Sequence, residues 1–66
     1  MDSKKELNNL RLKGIFTQYL SFEDYVSQLC DRYAKVYGEI LNKKDYDLIV
    51  RKLIEKEIIT DKDLAQ

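Results

Sequence analysis

Between Phe22 and Leu41 the apolar side chains recur at helical spacing. Phe22, Tyr25, Val26, Leu29, Cys30, Tyr33, Val36, Tyr37, Ile40 and Leu41 fall on one arc when the chain is wound at about 100° per residue. The arc is roughly 160° wide, broad enough to face two neighbouring helices, so this helix is expected at the centre of the fold. Ser27, Cys30, Ala34 and Gly38 run along one of its edges, small side chains that would let another helix approach closely. Gly38 alternatively ends the helix early, because glycine favours the position just past a C-terminus.

A later helix, from about Lys43 to Glu57, places Tyr46, Ile49, Val50, Leu53 and Ile54 on one face and Lys44, Asp47, Arg51, Lys52 and Glu55 on the other, with Leu48 as an apolar misfit among the charges. The N-terminal helix is less regular. Leu12, Ile15, Phe16, Tyr19 and Leu20 share a side, whereas Leu7 and Leu10 point nearly the opposite way, and Gly14 sits where the pattern changes. Either residues 1–10 form a separate, mobile segment, or this helix carries two apolar faces. After Thr60 there is room for a terminal helical turn only. No strand-like alternation and no Pro- or Gly-rich linker interrupts the pattern.

One phrase recurs three times, as Leu20-Ser-Phe-Glu-Asp-Tyr25, Leu41-Asn-Lys-Lys-Asp-Tyr46 and Ile59-Thr-Asp-Lys-Asp-Leu64. Each has the form of a helix start. Ser21, Asn42 and Thr60 stand as N-caps, and Asp24, Asp45 and Asp63, three residues on, are placed to reach back as in a capping box. Leu20 with Tyr25, Leu41 with Tyr46 and Ile59 with Leu64 are spaced as hydrophobic staples. The fold class expected is all-α: a single domain over residues 1–66, a three-helix bundle with a C-terminal turn.

Composition adds a reason to expect self-assembly. A chain of 66 residues buries only about 60% of its unfolded surface, which leaves a lone monomer marginal. A helical homo-oligomer, most simply a dimer, is therefore expected, with Tyr25, Cys30, Tyr33, Ala34 and Tyr37 at the self-association face. Five tyrosines in so short a chain support that expectation, since the phenol's polar tip suits a subunit or partner rim. Twelve Lys plus Arg balance twelve Asp plus Glu, so nothing draws the chain in bulk to nucleic acid or to an anionic membrane. One cysteine rules out an internal disulfide framework, and no apolar run resembles a signal peptide or a membrane span. A cytoplasmic setting is expected, and the Lys-, Ile-, Tyr- and Asn-rich composition points towards a phage, plasmid or virus.

The residues offer little chemistry. Histidine is absent, which removes the commonest general acid/base. Cys30 lies in the apolar arc with no histidine to activate it, and Gly14 and Gly38 are too far apart to form a phosphate loop. The acidic pairs Asp45/Asp47 and Asp61/Asp63 lack the further ligands and central glycine of a calcium loop. Neither catalysis, nor a cofactor, nor a metal is expected. The function expected is that of a protein–protein interaction module, a small regulator or adaptor, with Leu7, Leu10 and Leu48 as partner-binding residues and Lys4, Lys5 and Arg11 at the rim. The alternative is a helix-turn-helix-like DNA-binding regulator using the helix at about 43–57, with Lys43, Lys44, Arg51, Lys52 and Lys56 towards the phosphates. Against it, Asp47, Arg51, Lys52 and Glu55 match one another at helical spacings, and a neutralised face makes a poor phosphate footprint.

Overall fold

The computed structural model describes residues 2–14 and 19–64. Four helices follow one another among them: α1 (Ser3–Lys13), α2 (Phe22–Tyr37), α3 (Tyr46–Glu55) and the single-turn α4 (Asp61–Leu64). The protein is an all-α bundle. Its Cα radius of gyration, 10.9 Å, is that of a chain this long folded around one core, for which about 11 Å is usual.

The helix starts explain the repeated phrase, with one change. Ser21 caps α2 by accepting the Asp24 backbone N–H at 3.2 Å. In the third copy the reciprocal arm forms, and Thr60 donates its N–H to the Asp63 carboxylate at 2.8 Å. In the middle copy Asn42 is not the cap. Its side-chain oxygen accepts the Lys44 N–H at 2.9 Å, closing a local Asx turn, and the cap passes to Asp45, which accepts the Leu48 N–H at 3.2 Å. α3 thus begins three residues later than the apolar pattern suggests, and Tyr46 opens its first turn rather than completing a staple. A carboxylate is well placed there, because the helix N-terminus carries partial positive charge. Asp2 caps α1 in the same way, through the Lys5 N–H at 3.1 Å.

α2 stops at Gly38, which takes a left-handed φ of 72° and returns its N–H to the Ala34 carbonyl at 2.8 Å. Ile40 and Leu41 therefore leave the helical arc. Leu41 drops into the core from the connection between α2 and α3, while Ile40 stands in solvent.

The centre of the bundle is α1, not α2. Each of the other three helices packs on α1, and Leu7, expected on a free outer face, is 0% exposed. It meets a core built from Val26, Cys30 and Tyr33 of α2, Leu41, Ile49, Val50 and Leu53 of α3, and Leu64 of α4, with Leu10 half-buried against the same cluster. The other side of α1 points outward: Leu12 is exposed, and so is Tyr19 beyond the helix. Ile15 and Phe16, expected on the packed side, lie outside the described residues. Residues 3–10 are thus core-forming helix rather than a loose leader. The two sides of α1 are inverted because three short helices must share a single buried stripe, and Leu7 and Leu10 are the pair that faces all of them.

Polar ties lock this arrangement. Ser3 donates its hydroxyl to Asp47, joining α1 to α3. Arg11 donates to the Leu20 carbonyl at 2.8 Å while its guanidinium also holds Asn8, and Lys13 donates to the Asp63 carbonyl at 2.6 Å. The small-residue edge of α2 receives the connection to α3 instead of a helix: Lys43 donates to Ser27 at 2.9 Å and pairs with Asp31 at 3.1 Å.

Candidate functional site

Packing on α1 uses only part of the broad apolar arc of α2. Val26, Cys30 and Tyr33 are buried, whereas Val36 is 71% exposed and Tyr37 42% exposed. The side chains left over line an open groove of about 250 Å³ formed by Leu29, Arg32, Tyr33, Val36 and Tyr37 of α2 with Leu53 and Ile58 at the end of α3.

The end of α3 builds one wall by a backbone device. Ile58 returns its N–H to the Leu53 carbonyl at 2.9 Å and Glu57 to that of Ile54 at 3.0 Å, the two bonds of a Schellman motif, which characteristically brings together the side chains now numbered 53 and 58. Ile58 remains 47% exposed, while its neighbour Ile59 packs against the core. The floor is Tyr33, whose ring lies 4.8 Å from that of Tyr37 and whose hydroxyl donates to Glu39 at 3.5 Å. Glu39 also pairs with Lys52 at 3.3 Å, which ties the connection to both helices. Lys56 stands 5.2 Å above the Tyr37 ring, giving the rim a cation–π contact.

Burial pushes the Tyr33 phenol above its ordinary value, and the nearby Glu39 carboxylate adds to the shift. Hydrogen bonding to Glu39, and then its charge, raises the Lys52 ammonium. Both groups keep their protons. Burial likewise raises the Cys30 thiol, outweighing the opposing pull of Lys43, so the sulfur stays a protonated core side chain.

A second hollow lies along the same helix, lined by Tyr25, Gln28, Leu29 and Arg32. It shares Leu29 and Arg32 with the first, so one shallow concavity follows the outer face of α2 from Tyr25 to Tyr37. The groove is smaller and more open than the roughly 300–1,000 Å³ clefts that enclose small ligands.

The residues singled out from sequence are dispersed by the fold. Tyr25, Tyr33 and Tyr37 share the concavity, Cys30 lies beneath it in the core, and Ala34 is half-buried away from it. Leu7 cannot act as a docking anchor while it fills the core, and Leu10 packs beside it. Leu48 is half-buried on α3. The groove also takes in Ile58 and Val36, which helical spacing alone does not place at a contact. Val36 belongs to the part of the arc that outruns its coverage, and Ile58 to an apolar pair beyond a helix end, of which one member must face outward. Among the described residues no three His, Cys, Asp or Glu side chains gather as metal ligands, and no helix is long and apolar enough to cross a membrane. No family model, no curated protein and no solved structure matches the chain.

Proposed function

We propose that this chain is a small helical protein–protein interaction module, a regulator or adaptor, that binds through the outer face of α2 and the end of α3. The observation that carries the reading is the open groove in which Val36, Tyr37 and Ile58 stand exposed beside core residues Tyr33 and Leu53. Exposed apolar side chains scattered singly are ordinary, but a contiguous set with an aromatic floor and a cationic rim is the composition of an interface centre. Three cations that would serve a DNA-facing reading are engaged within the chain. Lys43 pairs with Asp31, Lys52 with Glu39 and Glu55, and Lys56 covers Tyr37.

A photo-crosslinking residue placed at Val36, in cells that naturally make the protein, is expected to give discrete protein adducts, whereas the same residue at the exposed Arg51 of α3 gives none. Equal labelling at both positions, or no protein adduct at position 36, would remove this surface as the docking site.

A further inference from the structure

We infer that the occupant of the α2 groove is a second copy of this chain, docked with its own α2 antiparallel to the first; this rests on the interaction reading above and specifies its partner. The stripe beside the core-facing side of α2 runs through Tyr25, Leu29, Arg32 and Val36, spaced four, three and four residues apart on one helical face, with Tyr25 and Leu29 half-buried and Arg32 and Val36 exposed. Two hollows that share Leu29 and Arg32 make that stripe concave along its length.

Charge favours a second copy laid antiparallel. Asp24 and Lys35 are both exposed and lie about three helical turns apart, hence on the same flank of the stripe. Laid antiparallel about a two-fold axis near Leu29, each copy brings its Asp24 beside Lys35 of the other, so both ends of the contact are satisfied at once. The same superposition sets Arg32 near Tyr25 of the second copy, a pairing of the two residue types most favoured at interface hot spots. A parallel two-fold pair carries the Asp24 and Lys35 flanks of the two copies to opposite sides of the seam, so neither Asp24–Lys35 contact forms there. Zero net charge places no long-range repulsion between copies. A helix pair of this length covers roughly 400–600 Å² per partner, the size class of weak, transient complexes.

The test is sedimentation equilibrium of the purified chain from low micromolar to submillimolar concentration. The wild type is expected to move from the 7.9 kDa chain mass to twice that value. D24K and K35D should each weaken association by about tenfold or more, and the double variant should recover it. Val36→Glu should leave a monomer of native helicity. Because D24K also removes an acid from the first turn of α2, melting curves are recorded in parallel, and recovery in the double variant cannot come from the cap. A wild type that stays at the monomer mass throughout overturns the second copy as occupant, as does V36E that still dimerises. Dimerisation without charge-swap recovery overturns the antiparallel docking. The cross-link at position 36 reports separately: a monomeric chain that still yields an adduct there has a different protein in the groove, and a chain with no adduct there has lost the interaction reading itself.

Discussion

Glu57 holds a left-handed backbone conformation, with φ at 58°, at the position of the Schellman motif where glycine is preferred. A side chain there costs about 1–2 kcal/mol, partly offset because glycine would enlarge the freedom of the unfolded chain. Glu57→Gly should therefore stabilise the protein by about 0.5–1 kcal/mol, which at this size raises the melting temperature by several degrees. Gly38→Ala should do the reverse by a similar amount. A methyl group at Gly38 meets nothing within 4 Å, so its cost is that of the left-handed backbone alone. Differential scanning calorimetry of both variants checks the pair, and a destabilised Glu57→Gly would mean that the glutamate side chain contributes more than its backbone costs. The glycine stop at residue 38 was legible as an alternative in the sequence. The glutamate stop was not, because nothing in the identity of Glu57 marks a positive φ.

At the scale of elements the informative case is α1. Its two possible buried stripes are both apolar, and helical periodicity records only that the two sets cannot face one way. Coverage by α2, α3 and α4 together selects Leu7 and Leu10. Leu7→Ala is expected to cost about 2–5 kcal/mol, a large share of the roughly 3–10 kcal/mol available to a domain of this length. Leu12→Ala, on the outward side, should stay within about 0.5 kcal/mol of wild type. Urea denaturation of the two variants makes the comparison, and a lower midpoint for Leu12→Ala than for Leu7→Ala would put the Leu12 side of α1 against the core. α3 is the opposite case. Its single apolar stripe of Ile49, Val50 and Leu53 lies against the core as the spacing indicates, and only its start moved, because Asn42 and Asp45 both have the chemistry of a cap and local hydrogen bonding chose between them.

Across the molecule, four titrating groups in or beside the core are shifted in one direction. Burial raises the Cys30 thiol and the Tyr25 and Tyr33 phenols above their ordinary values, and Glu39 raises the Lys52 ammonium. In each case the folded state holds a proton that the unfolded chain releases more readily, so above about pH 8 the unfolded state binds fewer protons and stability falls as pH rises. The contribution is complete below about pH 8 and is lost progressively as the solution passes the raised folded values. Circular dichroism melts between pH 8 and 11 should show the melting temperature declining across that range, and a flat or rising profile would show that these groups titrate alike in the folded and unfolded chain.

Sequence alone determined that the chain is helical, that Ser21 begins a helix, that Ile49, Val50 and Leu53 share a buried face, and that α2 has more apolar surface than a small bundle can cover. These are local properties, set by spacing along one segment and by side chains that bond to their own backbone. Tertiary structure decided which helix is central, which side of α1 is inside, and which residues of the α2 arc remain outside to line a groove with Ile58. Those outcomes depend on how much of each stripe the neighbouring helices physically cover, a quantity that exists only once all the helices are packed together.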